Sequence, residues 1–212
     1  MNFLVYLGIC VGVGLAIVGI YYAFLIGKGN KIQNQLVSFL SDKDYNAFDL
    51  LMNEEKTQKY VRPYNRDVLK LNKAFMRKDK KEIDRIFSHF DEVRLNTKQK
   101  EAIYTQAFDY YQALGNHAKV KKYYELIMKD VKDSGIINTI DRMYDIYELH
   151  GYRFLNDTLE EIEQAPDGQL PILEGMVASM YKNMGDKEKE KEYFELSKKH
   201  FEEFKELMEK ED

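Results

Sequence analysis

An apolar stretch without a charged residue begins the chain. It runs from Phe3 to Ile26 and contains 24 residues. At about 1.5 Å per residue, a helix of this length measures about 36 Å, whereas the hydrocarbon core of a bilayer measures about 30 Å. The pattern therefore predicts a transmembrane helix. A cleaved signal peptide is the alternative, but it typically has a basic start and a shorter apolar run.

Small residues recur every four positions within this stretch, at Gly8, Gly12 and Ala16. Such spacing lets two membrane helices approach closely, so it favours a homodimer formed through this segment. Glycine is also common in membrane helices in general. Two interpretations therefore remain, a membrane helix that dimerises and one that does not.

Beyond Asp44, apolar residues follow a helical spacing that short turn signals interrupt at regular intervals. Counted from Lys78 to Gly115, Gly151 and Gly185, the breaks are 37, 36 and 34 residues apart. A two-helix unit of this length cannot cover its own apolar stripe, whereas stacked units bury a continuous core. The pattern thus predicts stacked helical hairpins.

The clearest unit spans residues 102 to 129 and resembles a tetratricopeptide repeat (TPR). Its first helix has Tyr104, Ala107, Phe108 and Tyr111, its turn is Gly115-Asn116, and its second helix has Val120, Tyr124 and Ile127. The resemblance implies an all-α protein in which a transmembrane helix precedes an α-solenoid of about four TPR-like hairpins. In that family the first helices line a concave surface.

These patterns predict four segments. Residues 1–28 form the anchor, 29–62 form connecting amphipathic helices, 63–205 form the repeats, and 206–212 form a charged end. From Asp186 onward the chain has seven lysines and eleven acidic residues. This last helix is read as a solvating cap of the array, with a dimerising coiled coil as the alternative.

Composition narrows the class of protein. The 212 residues are 44% hydrophobic and include only three prolines, with six of the twelve glycines in the first 29 residues, so the chain is too poor in turn residues for a fold of many strands. A single cysteine excludes a disulfide scaffold. The net charge of -4 does not favour a nucleic-acid groove.

Catalytic chemistry has little support in the sequence. No histidine stands in a metal-binding or catalytic spacing, and each is read as a surface helix residue. Because no nucleophile, base and orienting group can be nominated together, we expect neither enzymatic activity nor a bound metal or cofactor. An enzyme with an unrecognised site is the remaining alternative.

The resemblance to TPR proteins implies a binding groove on the inward positions of the first helices. These positions are occupied by polar residues: Asn65, Asn72, Thr105, Asp109, Gln112, Asp141, Arg142, Asp145 and Lys182. The three aspartates favour a basic peptide segment, and we expect charge reversal at Asp141 and Asp145 to weaken binding without harming the fold. The plainer alternative is that these residues are simply the exposed side of the helices.

Basic residues near the apolar stretch predict its orientation. Lys28, Lys31 and Lys43 follow the stretch and none precedes it, which places the helical part in the cytoplasm. The sequence therefore favours a membrane-anchored adaptor or scaffold that binds a protein or peptide partner. The alternative is an extracytoplasmic accessory protein or chaperone of a secretion or envelope-assembly machine.

Overall fold

A computed structural model describes residues 25–211, and this part of the chain is all-helical, without a strand. Helix α1 covers residues 25–41. The helices that follow are α2 (Tyr45–Asn53), α3 (Glu55–Tyr60), α4 (Pro63–Met76), α5 (Lys80–Glu92), α6 (Thr97–Ala113), α7 (His117–Asp130), α8 (Ser134–Tyr147), α9 (Leu155–Ile162), α10 (Leu170–Met184) and α11 (Lys187–Glu211).

Most of the predicted transmembrane segment, including Gly8, Gly12 and Ala16, lies outside the described residues. Within residues 25–211, no helix combines the length and the apolar character needed to cross a bilayer. Helix α1 passes residue 28 and helix α11 passes residue 205 without a break, so the two predicted boundaries at those positions do not coincide with helix ends.

The chain divides into two compact units, the first ending at Val93 and the second beginning at Arg94. The division falls between α5 and α6, inside the segment 63–205 that the sequence predicts to be one array of repeats.

The first unit has its own core, and the predicted connecting segment contributes seven of the eight buried side chains in one of its clusters. One apolar cluster joins α1, α2 and α4 through Ile32, Leu36, Leu40, Phe48, Leu51, Met52, Val61 and Leu69. Leu36 and Phe48 are completely buried, and burying side chains of this kind stabilises a fold by about 1.5 to 3 kcal/mol each. Residues 29–62 are therefore a folded part of the unit as well as a connection.

Helices α4 and α5 complete the first unit as a hairpin. Helix α5 buries Ile83, Ile86, Phe87 and Phe90, a set spaced at three and four residues as on one helix face. The Phe75 and Phe87 rings lie 6.1 Å apart in an edge-on arrangement, which is a favourable geometry for aromatic pairs.

In the second unit, α6 and α7 pack along each other. Helix α6 buries Ile103, Tyr104, Ala107, Phe108 and Tyr111. On α7 the fully buried aromatic residue is Tyr123, not Tyr124. The Tyr123 ring stacks on Tyr111 at 5.7 Å. Tyr124, which the TPR resemblance places in the hairpin, points instead to α8, where its ring stacks on Tyr144 at 3.9 Å.

A second cluster in this unit surrounds α10. It contains Ile146 of α8 and Met176, Val177, Met180 and Tyr181 of α10, against which Phe154, Leu155, Leu159 and Ile162 of the α9 region pack. Helix α11 follows α10 after the hairpin turn at Gly185 and packs along it. Farther along α11, His200 Nδ1 lies 2.8 Å from a carboxylate oxygen of Glu174, which is only 3% exposed. His200 is therefore part of a helix contact and not the surface residue that the sequence predicts.

The turns between paired helices share one backbone feature. A residue with positive φ occurs at Lys43, Lys78, Gly115, His150 and Gly185, at spacings of 35, 37, 35 and 35 residues. In four of these turns the next residue caps the following helix with its side chain: Asp44, Asp79, Asn116 and Asp186. The amide of the capping residue also bonds a carbonyl five residues earlier, as Asn116 does to Tyr111, which is the Schellman pattern of helix ends.

The turn after α8 differs from the other four. It extends over residues 148–154, and its left-handed residue is His150, one position before the glycine that the sequence places at the break. Gly151 is required for another reason. A β-carbon at this position would collide with the carboxylate of Asp145.

Candidate functional site

The predicted groove residues are divided between the two units. Asn65 and Asn72 belong to α4 of the first unit, whereas the other seven lie on α6, α8 and α10 of the second. Asn72 is exposed, and Asn65 donates from Nδ2 to Oε1 of Gln33 at 2.7 Å. The second unit therefore has most of the candidate groove.

On α6, Thr105, Asp109 and Gln112 are spaced at four and three residues and so share one face of the helix. Thr105 Oγ1 and Gln112 Oε1 are buried, and neither has a hydrogen-bond partner among the described residues. Buried polar atoms in folded proteins are nearly always paired, since an unpaired one costs about 1 to 3 kcal/mol. These two atoms therefore mark a place where the fold leaves hydrogen-bonding capacity unused.

Asp109 lies between them in the sequence and is exposed. Even so, the surrounding protein removes part of the hydration of its carboxyl group and thereby raises its pKa. At neutral pH an exposed carboxylate of this kind is a negative charge that a basic partner can reach.

Asp141 on α8 is engaged within the protein. Its Oδ1 accepts a hydrogen bond from the Tyr124 hydroxyl at 2.8 Å, and its Oδ2 accepts one from Nη2 of Arg153 at 2.9 Å. Burial, followed by the hydrogen bond to Asp141, raises the pKa of Tyr124 to about 12. Asp141 thus links α7, α8 and the turn after α8.

Asp145 lies one helical turn further along α8 and is only 7% exposed. Its Oδ2 accepts a hydrogen bond from the backbone amide of Arg153 at 3.2 Å, and its Oδ1 is 3.5 Å from Nε of the same residue. The expectation that charge reversal here leaves the fold intact is therefore corrected, because Asp145 holds the turn after α8 in place. Its burial removes it from an open groove.

Arg153 joins the two aspartates, although it is not among the residues that the sequence predicts for the groove. Its guanidinium also lies over the Phe154 ring, 4.5 Å from the centroid. The available signal was the sequence Arg153-Phe154 next to a break, but nothing in the helical spacing predicts that this turn folds back on α8. Arg153 neutralises much of the acidic character that the sequence assigns to the groove.

Arg142 completes the polar surface of α8. Its Nη1 donates to Oε2 of Glu161 on α9 at 2.6 Å. Its Nε is buried and has no hydrogen-bond partner in the described part of the chain. Lys182 is exposed on α10. Three of the nine predicted groove residues, namely Thr105, Gln112 and Arg142, thus have a buried polar atom that no other described residue pairs with.

Within the described residues, no group of three or more histidine, cysteine, aspartate or glutamate side chains could hold a metal ion. His200 pairs with Glu174 and His117 lies 2.8 Å from Glu148, so both contact single carboxylates.

The chain matches no known family model, and comparisons with curated proteins and with solved structures also find no match. Its function is therefore inferred from its own residues.

Proposed function

We propose that this protein is a membrane-anchored adaptor that binds a protein or peptide segment on the α6 and α8 surface of a TPR-like helical array. In this proposal residues 3–26 span the membrane and the helical units lie in the cytoplasm. Tethering a binding surface to a bilayer raises the effective concentration of its partner, so even a weak groove suffices.

The regular turns support the repeat interpretation. Left-handed residues at Lys43, Lys78, Gly115, His150 and Gly185 are spaced 35 to 37 residues apart, and four of these turns use the same capping geometry. The series also includes Lys43, so α1 and α2 form one more hairpin of the same kind before the four predicted from the sequence. A period of this length is typical of stacked two-helix units.

The observation that carries the binding proposal is the set of unsatisfied polar atoms. Thr105 Oγ1 and Gln112 Oε1 lie on one face of α6, and Arg142 Nε lies on α8. The backbone of a bound peptide offers both amide donors and carbonyl acceptors. Gln112 is only partly buried as a residue, and a rotation of its side chain would bring the amide to the surface, where a peptide could pair with it.

Charge supports a basic or neutral partner, although less strongly than the sequence alone suggests. Asp141 and Asp145 form ion pairs with Arg153. Among the acidic groove residues, Asp109 is therefore the one that stays exposed. Its neighbour Gln112 is uncharged. A basic side chain next to Asp109 would gain a contact that weakens as salt increases.

The test compares two variants of the full chain with equal changes in charge. Asp109→Lys with Gln112→Lys alters the proposed surface of α6, whereas Ala118→Lys with Glu125→Lys alters an exposed face of α7. Each is expressed in place of the wild type, crosslinked in membranes and purified in detergent. We expect the α6 variant to lose its crosslinked partners while the α7 variant keeps them. Equal retention by both would contradict binding on α6.

A second experiment tests the orientation. Ser88 is exposed on α5, so Ser88→Cys in a Cys10→Ser background places a single reporter on the helical part. A membrane-impermeant maleimide is expected to label it only after cell lysis. Labelling in intact cells would instead support the extracytoplasmic accessory or chaperone.

A further inference from the structure

A cavity of about 500 Å³ lies in the first unit, between the start of α1, the end of α3 and the start of α4. It is lined by Leu25, Ile26, Gly29, Asn30, Gln33, Lys59, Tyr60, Arg62 and Asn65. Helix α1 packs tightly against the end of α3 here, because a β-carbon on Gly29 would lie 2.6 Å from the carbonyl oxygen of Tyr60. Glycine at this position therefore lets α1 approach the end of α3.

The charge of the lining has one sign. Lys59 and Arg62 line the cavity, and none of the described lining residues is acidic. A third cation stands next to them, since the ammonium groups of Lys28 and Lys59 lie 5.3 and 5.5 Å from the centroid of the Tyr60 ring. Such a concentration of positive charge around a concave site favours an anionic ligand.

The neutral polar groups of the lining suit the same ligand. Asn30, Gln33 and Asn65 present side-chain amides, and the 2.7 Å bond from Asn65 to Gln33 fixes two of them relative to each other. Each amide nitrogen has two hydrogens, so Asn65 retains a donor for a ligand oxygen. The first turn of α4 borders the cavity, and within the described part of the chain its N-cap residue, Arg62, makes no side-chain capping bond. Amide and guanidinium donors together are the groups that bind phosphate oxygens.

One side of the cavity is apolar and leads toward the proposed membrane segment. Leu25 and Ile26 line it, and Ile26 is 52% exposed. These residues end the 24-residue uncharged stretch. A span that ends here would place the cavity at the level of the lipid headgroups. This step rests on the membrane anchor of the proposed function.

We propose that this cavity binds a phosphate group, supplied by the headgroup of an anionic phospholipid. Lys59 and Arg62 neutralise the phosphate, the amides of Asn30 and Asn65 donate to its oxygens, and Leu25 and Ile26 contact the first carbons of the acyl chains. The protein would thus select the lipid next to its own anchor in addition to spanning the bilayer.

The test uses the full chain purified in a mild detergent and titrated with phosphatidylglycerol or phosphatidylcholine, with bound lipid counted by native mass spectrometry. The variant Lys59→Gln with Arg62→Gln removes the two lining cations. The matched control, Lys56→Gln with Lys81→Gln, removes two exposed lysines of the same unit that do not line the cavity. Circular dichroism during heating shows whether the variants keep the fold.

We expect the lining variant to bind phosphatidylglycerol about thirtyfold more weakly, the value for two basic contacts with an anionic lipid surface. The control is expected to keep the wild-type affinity, and phosphatidylcholine to bind weakly to all three proteins. Equal affinity of wild type and lining variant for phosphatidylglycerol would overturn the proposal. Displacement of the lipid by millimolar inorganic phosphate would assign the site to free phosphate and overturn the lipid assignment.

Failure of the anchor is distinguishable from failure of the cavity. All three proteins are mixed with phosphatidylcholine vesicles, and vesicle flotation then reports membrane insertion without anionic lipid. Flotation of the lining variant together with unchanged phosphatidylglycerol binding rejects the cavity alone. A wild-type chain that does not float rejects the membrane anchor, and with it the source of the phosphate.

Discussion

Tyr124 and Asp141 are joined by a hydrogen bond of 2.8 Å between the phenolic oxygen and Oδ1 of the carboxylate. The bond connects α7 to α8, and the Tyr124 ring stacks on Tyr144 at the same place. The two contacts fix the position of α8 against the preceding hairpin. Asp141, which was predicted to line the binding groove, thus stabilises the packing of α8 against α7.

Replacing Tyr124 with Phe tests this contact. The variant keeps the stacked ring but loses the hydrogen bond, so we expect the free energy of unfolding to fall by about 0.5 to 1.5 kcal/mol at neutral pH. Urea denaturation followed by circular dichroism measures this change. A Tyr147→Phe variant is the control, because Tyr147 is an exposed tyrosine on α8, the helix that carries Asp141.

The pKa of Tyr124 gives the same variant a second readout. Its hydroxyl has a pKa raised from 10.0 to about 12 in the folded protein. A raised pKa stabilises the fold fully below the unfolded value and loses that contribution as pH increases from 10 to 12. Wild-type stability is therefore expected to decrease more steeply than that of Tyr124→Phe across this range. Parallel curves would contradict the assignment.

Asp145 is expected to be more important for stability than Asp109, although the sequence places both in the groove. Asp145→Ala leaves the half-buried backbone amide of Arg153 without its acceptor and removes the ion pair, which we expect to cost about 1 to 3 kcal/mol. Asp109→Ala changes an exposed side chain and is expected to alter stability by less than about 0.5 kcal/mol. Thermal and urea unfolding distinguish them. Equally small losses of stability in the two variants would contradict a structural role for Asp145 and would support its place in the open groove.

The left-handed turn at Lys78 offers a stabilising substitution. A lysine at φ 54° is sterically strained by its β-carbon, whereas a glycine is not. We expect Lys78→Gly to raise the free energy of unfolding by about 0.5 to 1 kcal/mol, even after the greater freedom of glycine in the unfolded chain is included. Lys70→Gly is the control, since it places glycine inside α4 and is expected to lower stability by about 1 kcal/mol. A lower free energy of unfolding for Lys78→Gly would contradict the left-handed conformation of residue 78.

The helices were predictable from the sequence because their apolar spacing and turn residues agree. The breaks at Gly115 and Gly185 have both a glycine and a capping side chain, Asn116 or Asp186. The break at Lys78-Asp79 was predicted although it has no glycine. The equivalent role of Lys43 was missed, because lysine does not signal a left-handed conformation.

The candidate site was less predictable for a physical reason. Helical periodicity tells which residues share a face, and the resemblance to TPR proteins implied that Thr105, Asp109 and Gln112 lie on the inward face of α6. It does not tell which groups a turn brings back to that face. Arg153 reaches Asp141 and Asp145 only because the turn after α8 is longer than the others. The cavity next to Lys59 and Arg62 was missed because it is formed by three helices that meet only in the folded unit.

Membrane anchoring is the central claim, and extraction with alkaline carbonate tests it most directly. The full chain is compared with a chain that lacks residues 1–24 and keeps the whole of α1 that contributes to the core. Carbonate strips peripheral proteins from membranes and leaves those with a spanning helix in the pellet. We predict that the full chain remains in the pellet and that the shortened chain is released as a folded protein. Release of the full chain into the supernatant would contradict the account.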